Sequence, residues 1–426
     1  MRGRDGKLEP KVYAIAESNE INRNHLKFFG THLSDMERNL AVMQIEGLLD
    51  TFKDAREYGS ILNVDACDWE KLEQFVENLD TTGQISFESV GSEETQENLR
   101  KLVRVAKNLG QKYDAVVTNP PYMNGSGMDA KLLSYVQDNY KDAKADLYAC
   151  FISKALEMVK SKRYVSLITM ETWMFLGSLS KLRVKTLDTS TIVSLVHMPY
   201  LGKGGTSLGI NFGTAAYILT KQNTTEYSAE YNYIRYYECN DHGRPIAFPF
   251  NNERHCFTKQ SVYSCIPGSP VAYWVSNELS AVFKYERISK KSISDGQTKT
   301  GDNNRFLRLF WEVSALEIGK ENKWAFIAKG GNFRRWYGNI EYVIDWSEIA
   351  RQHYRKDHVA RIAPEYIWFR EGVSWNHVTS IEHFAARYLP SDMLFETAAP
   401  SIFFEDNDML MWVIGYLNTI VSEKIL

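Results

Sequence analysis

The stretch VVTNPPYMNGSG at 116–127 places Asn119, Pro120, Pro121 and Tyr122 directly after a run of β-branched residues. Each proline fixes φ and supplies no backbone N–H, so the corner is stiff and its carbonyl oxygens stay available as acceptors. The Asn119 side chain adds another acceptor, and Tyr122 adds an aromatic face. Such parts suit methyl transfer to an exocyclic amino group. The Asn119 side-chain oxygen and the Pro120 carbonyl accept the two amine hydrogens, hold the nitrogen lone pair toward the incoming methyl, and spread the developing positive charge. Catalysis of that kind is orientation plus fixed dipoles. Tyr122 is suited to stacking on a base swung out of a duplex.

Other candidate groups are fewer. Asp146 and Tyr148 open a helical stretch, where a helix cap and a core aromatic are their plain roles. Thr169 and Trp173 lie just past the next strand, where packing is the expected role. The pairs Glu171/Asp188 and Asp406/Asp408 do not suggest acid–base catalysis. His197, His255, His353, His358, His377 and His383 show no metal-ligand spacing and read as surface or satisfied core residues. Cys67, Cys150, Cys239, Cys256 and Cys265 lie far apart without a CxxC pair, so reduced structural thiols and no metal are expected.

In an open α/β sheet, ligands bind beyond the carboxyl ends of the strands, so a strand must deliver the corner there. The stretch YDAVVTN at 113–119 reads as that strand, with Asp114 opening it. Further strands are expected at 164–169, 191–198 and 213–221, and a short one at Val12–Ala16. Apolar periodicity predicts helices over 35–57, 98–110, 146–162 and 177–188. The alternation argues for an α/β layer structure with a largely parallel sheet.

After Lys221 the texture turns irregular and aromatic, and a helix is expected at 277–288. The boundary falls in the window 265–290, dividing the chain into domains 1–270 and 271–426. The chain has 426 residues, 44% of them hydrophobic, which is ample for two packed domains. Fifty basic against 53 acidic residues exclude a uniformly basic protein but leave room for a local basic surface. No apolar run reaches the roughly 18 residues of a membrane span, and the charged N-terminus lacks the apolar core of a signal peptide, so a soluble, cytoplasmic protein is expected.

The corner, the DLYACFISKALEMV helix at 146–159, ITMETWMFL at 168–176, VSLVHM at 193–198 and KGGNFRRWYGN at 329–339 together resemble one family. It is the class I adenine methyltransferases with an NPPY motif, specifically the PglX-type enzymes of BREX phage-defence systems. The resemblance covers nearly the whole chain. It implies an incomplete class I (Rossmann-like) methyltransferase sheet followed by a mixed α+β target-recognition domain. It also implies S-adenosylmethionine as methyl donor and double-stranded DNA as partner, with other proteins of the defence system as further partners. The resemblance makes Asn119, Pro120, Pro121 and Tyr122 the catalytic corner and implies that Asp146 and Tyr148 border the cofactor and target pocket, a role weighed evenly with cap and core.

The family opens its sheet with a strand leading to a glycine-rich loop, roughly DPxxGSG, and a ribose-holding acid follows. Nothing of that form precedes Asn119, and the glycines there are scattered. The later run GKGGTSLGINFG at 202–213 reads as a target-side loop. By resemblance 10–17 is the third strand, and Glu17, Asn19, Asp114 and Asn119 are the residues left to meet the cofactor. The segment 409–426 resembles a recognition-domain helix that is usually followed by more chain. The chain is therefore expected to be an internal portion of a larger enzyme, binding the cofactor weakly or not at all alone.

In the C-terminal half, basic residues mix with aromatics, which suits phosphate contacts and base-edge readout. Lys299, Arg305, Arg308, Lys329, Arg334, Arg335, Trp336 and Tyr337 are the expected DNA contacts, and 351–375 is a second such stretch. The leading expectation is a DNA adenine N6-methyltransferase of a phage-defence system. The alternatives are a non-catalytic DNA- or partner-binding protein of the same system and, against the long C-terminal region, a protein glutamine methyltransferase.

Overall fold

The computed structural model describes residues 10–80, 90–199, 212–224, 226–240, 245–248, 252–378 and 383–425. It divides into two units, Met1–Ala281 and Val282–Leu426, where the sequence placed the break after residue 270. The first unit opens with α1 (Asp35–Thr51), the single turn α2 (Ala55–Tyr58), α3 (Trp69–Glu77) and α4 (Ser92–Gly110). These helices share one core built on Phe29, Ile45, Phe52, Leu72, Phe75 and Leu102.

The strand expected at Val12–Ala16 is not formed. A strand needs a neighbouring row of backbone groups, and here the chain finds its partners on α1 instead. Ser18 donates its amide to the Phe52 carbonyl at 3.1 Å and its hydroxyl to the Leu49 carbonyl at 2.5 Å, while Ile15 and Ala16 pack on the helical core.

Next come β1 (Tyr113–Thr118), α5 (Ala130–Asn139), α6 (Leu147–Met158), β2 (Val159–Met170), α7 (Ser180–Thr189), β3 (Thr191–Met198) and β4 (Thr214–Thr220). β5 (Ser228–Tyr233), β6 (His255–Lys259), α8 (Gln260–Ser264) and α9 (Asn277–Val282) complete this series. The sheet order is β1-β2-β4-β3-β5-β6. β1 pairs parallel with β2 and β3 with β5, whereas β4 runs antiparallel between β2 and β3, and β6 antiparallel to β5. The sheet is thus mixed, not largely parallel. An antiparallel return needs no crossover helix, and the apolar pattern of β4 carries no sign of its direction.

One sheet face packs on α6 and α7 through Val165, Leu167, Ile192, Leu195, Tyr217 and Leu219, joined by Ile152 and Leu182. β1 lies at the sheet edge, and its Val117 is 75% exposed. Arg183 on α7 is buried and reaches four carbonyls. Nε donates to Gly268 and Ser269 at 2.8 and 3.0 Å, and Nη1 to Trp173 and Leu176 at 2.9 and 3.0 Å. It fixes the turn that follows β2.

The second unit contains α10 (Asn303–Phe306), β7 (Leu307–Leu309), β8 (Trp324–Ala328), β9 (Tyr342–Asp345) and α11 (Glu348–Lys356). After these come β10 (Gly372–Trp375), β11 (Ala386–Leu389), β12 (Met393–Phe395), β13 (Ser401–Phe403), α12 (Asn407–Leu417) and α13 (Ile420–Ile425). Two small sheets result, β12-β8-β9-β7 and β11-β10-β13, a mixed α+β arrangement. Among the described residues no helix is long and apolar enough to cross a membrane.

Replacing Arg183 by Met leaves four carbonyls without their donor, those of Trp173 and Ser269 in buried bonds. Chemical denaturation should show a loss of about 3 kcal/mol or more, whereas Val117→Thr, on the exposed edge, should stay within about 0.5 kcal/mol.

Candidate active site

Asn119 leaves the carboxyl end of β1, beside the carboxyl end of its parallel neighbour β2. Asn119 and Pro121 are exposed, Pro120 is buried and Tyr122 is half-buried. The Tyr122 hydroxyl faces two acceptors, the Asn119 side-chain oxygen at 3.0 Å and the Ile168 carbonyl of β2 at 3.2 Å. An amide oxygen has two lone pairs, so Asn119 keeps one for an incoming donor. Burial pushes the Tyr122 phenol above its ordinary pKa. Its ring meets Phe212 at 5.1 Å and Tyr148 at 6.2 Å, both near perpendicular.

The exit from the corner is tied to α6. Asp146 caps that helix, and one of its oxygens accepts from the Tyr148 amide at 3.2 Å and from the Met123 amide at 3.1 Å. The Leu147 amide returns a bond to the Met123 carbonyl at 2.9 Å. Burial raises the Asp146 pKa, against the pull of the amides it accepts from. The buried Tyr148 hydroxyl lies 2.7 Å from the Thr172 hydroxyl. Thr169 and Trp173 are wholly buried, and the Thr169 hydroxyl donates to the Met170 carbonyl at 3.0 Å.

The same rim carries a group that residue-by-residue reading dismissed. Glu171 follows β2, and its carboxylate lies 2.5 Å from Nε2 of His197 near the end of β3. Nδ1 of His197 lies 2.9 Å from the Tyr273 hydroxyl. Gly213, just before β4, accepts the Glu171 amide at 2.9 Å, and a Cβ there would come within 2.1 Å of the Glu171 carboxylate. The available signal was positional: two polar residues at the ends of strands that share the direction of β1. Of the glycine-rich run at 202–213, residues up to 211 lie outside the described residues.

The residues expected to meet a cofactor are not brought together. Glu17 accepts from the Arg56 amide at 3.2 Å and pairs with its guanidinium at 3.4 Å. Asn19 and Asp54 exchange two bonds of 2.9 Å, and Lys131 pairs with Asp54 at 3.1 Å. Glu17 and Asn19 line a cavity of about 550 Å³ shared with Arg56, Lys101 and Arg104. Asp114 is a correction. It sits at the opposite end of β1 from Asn119, about 17 Å away at the usual strand rise. It is ion-paired there with Lys160 and Arg163, both at 3.1 Å. Lys160 foremost holds its carboxyl below the ordinary range. Among the described residues before β1, the glycines with positive φ (Gly30, Gly59, Gly91) sit in turns or at helix ends. The described residues therefore fit an amine acceptor better than they fit a nucleoside donor.

The expected DNA contacts separate into two groups. Lys299, Arg305, Arg334, Trp336 and Tyr337 are exposed. Lys329 pairs with the buried Glu396 at 3.3 Å, Arg308 donates to the Asn304 and Leu307 carbonyls, and Arg335, itself exposed, pairs with Glu423 at 2.6 Å.

Residues 26–202 match the family model described as Eco57I restriction-modification methylase. The chain is 32% identical over 370 residues to the adenine-specific methyltransferase BrxX of Escherichia coli O9:H4 (strain HS), covering 85% of this chain and 30% of that protein. It is 30% identical over 410 residues to the adenine-specific methyltransferase PglX of Lacticaseibacillus casei (strain Zhang), covering 90% of this chain and 33% of that protein. The chain thus spans about a third of the length of the curated relatives it matches. Among solved structures, the type IIL restriction-modification enzyme MmeI in complex with DNA aligns over 90% of this chain and 56% of that one, with a TM-score of 0.44 and 11% identity.

Gly213→Ala drives a methyl group into the Glu171 carboxylate and should cost about 1–3 kcal/mol. Gly47→Ala, inside α1 with nothing within 4 Å of the added Cβ, should instead stabilise by about 0.5–1 kcal/mol. Denaturation of the two variants checks the opposite signs.

Proposed function

We propose that this chain carries the target-orienting and recognition portion of an adenine-specific DNA methyltransferase of a BREX-type phage-defence system. The observation that carries the reading is the corner. Asn119 presents a side-chain oxygen at the carboxyl rim of the sheet, and Tyr122 and Pro120 hold it there. The relatives, adenine-specific methyltransferases, agree with it.

On this reading the Asn119 oxygen and the Pro120 carbonyl accept the two hydrogens of an adenine N6 amine. The lone pair is thereby aimed out of the ring plane, and partial positive charge on nitrogen is met by two fixed dipoles. Tyr122 supplies an aromatic face for a base taken out of the stack, with Phe212 at its edge and the buried Tyr148 packed behind it. S-adenosylmethionine, a sulfonium, supplies the methyl group when bound. Double-stranded DNA is the substrate class, and the second unit, with its exposed Arg305, Arg334 and Trp336, is the part that reads it. Other proteins of the defence system are proposed as further partners.

A second reading is favoured by the cofactor-side geometry. Glu17 and Asn19 are closed onto Arg56 and Asp54, and Asp114 is remote. A chain that only binds DNA or a partner would look the same there.

Two measurements separate the readings. Adenine-methylation sequencing of cells carrying the gene should show modified sites whose level falls at least about 100-fold on Asn119→Ala, in line with the loss of one fixed transition-state dipole. Methylation identical with and without the gene would leave the non-catalytic reading. Calorimetric titration of the isolated chain with S-adenosylmethionine should show no micromolar binding, and a micromolar isotherm would contradict the incomplete donor side.

A further inference from the structure

The second unit holds a buried cation without an anion. Arg387 on β11 is 2% exposed; its Nη2 donates to the Asn376 side-chain oxygen at 2.8 Å, and its Nη1 is sealed from solvent with no partner. Glu341 acts on it only through space, and no ion pair of Arg387 occurs among the described residues. Buried donors nearly always find acceptors, and an unmatched guanidinium is costly. The contrast with Arg183 is instructive: an arginine buried for architecture in the same chain has both its Nε and its Nη1 donating to carbonyls.

Beside Arg387 runs the strap 329–339. The Trp336 amide donates to the Ala386 carbonyl at 3.0 Å, and its carbonyl accepts from the Tyr388 amide at 2.8 Å, so the two bonds clasp it alongside Arg387. Trp336 is held at φ 72, with Asn339 at 58 and Gly338 at 132. A bulky residue in the left-handed region is strained, and such strain gathers at ligand clamps. The strain does not serve burial, because the Trp336 and Tyr337 rings are 55% and 53% exposed. Asn376 joins the parts. Its amide donates to the Gly331 carbonyl at 2.7 Å, and its oxygen accepts from Asn339 at 3.4 Å as well as from Arg387.

Resting on the DNA reading above, we infer that Arg387 and the strap form a nucleotide subsite. The exposed Trp336 ring stacks on a base, and Arg387 Nη1 takes an oxygen acceptor of the DNA once the two backbone bonds that clasp Trp336 open. The acceptor chemistry is shared by a phosphate oxygen and by the O6/N7 edge of guanine.

The test uses the full chain and a fluorescein-labelled mixed-sequence duplex titrated at increasing salt, with selection from a randomised duplex pool beside it. Asn376→Asp sets a carboxylate against the guanidinium and neutralises it in place; Trp336→Ala removes the ring from an exposed position. Both should weaken binding about 10-fold, as expected for loss of one stacking or charged contact. If the oxygen is a phosphate, Asn376→Asp also lowers the slope of log affinity against log salt by about 1. If it is a base edge, the slope holds and preference relaxes at one position of the selected sequence. Variants that melt as the parent does and bind with its affinity, slope and preference overturn the subsite. Should Asn376→Asp fail to fold, unchanged binding by Trp336→Ala overturns it alone. A parent chain that binds no duplex overturns the DNA reading itself, and this subsite with it.

Discussion

One oxygen of Asp146 accepts both the Met123 amide, leaving the corner, and the Tyr148 amide, entering α6. That shared acceptor sets the exit direction of the Asn-Pro-Pro-Tyr segment relative to a helix packed on the sheet. The entrance is set by the parallel pairing of Thr118 with Leu167. With both ends fixed and two prolines between them, little torsional freedom is left, and the Tyr122 hydroxyl bridges what remains to β2 at Ile168. A corner that works by orientation requires this, because a misplacement of about 1 Å can cost on the order of 100-fold in rate. Asp146 stays half-buried although burial opposes its charge, which fits a carboxylate retained for the amides it organises.

The corner itself was legible because it is local: prolines, an asparagine and a tyrosine in sequence at the end of an apolar run. β3 and α6 were legible for the same reason, since their apolar periods lie within the element. What escaped was non-local. β4 reads as a strand, yet its insertion between β2 and β3 decides the sheet's mixed direction and brings Gly213 against Glu171. Val12–Ala16 has a strand-like composition, but the groups that bond the segment after it belong to α1. Lys329, Arg308 and Arg335 look like DNA contacts by clustering with aromatics, and each is engaged by Glu396, by backbone carbonyls or by Glu423. Arg387 lies outside such a cluster, and its unmatched nitrogen is visible only once neighbours are assembled around it.

On the proposed reading, the two halves of the site are unequally represented. The rim that would hold the amine has stiff backbone, positioned acceptors and aromatic walls. Of the residues offered for the donor, Glu17 pairs with Arg56, Asn19 is hydrogen-bonded to Asp54, and Asp114 lies at the far end of its strand, paired with Lys160 and Arg163.

The central claim is that the corner receives an extrahelical adenine through its exocyclic nitrogen. A structure of the chain bound to duplex DNA tests it most directly. The account predicts an unstacked adenine with N6 within hydrogen-bonding distance, about 3 Å, of both the Asn119 side-chain oxygen and the Pro120 carbonyl. A bound duplex with every base stacked, or an extruded base seated away from Asn119, would contradict it.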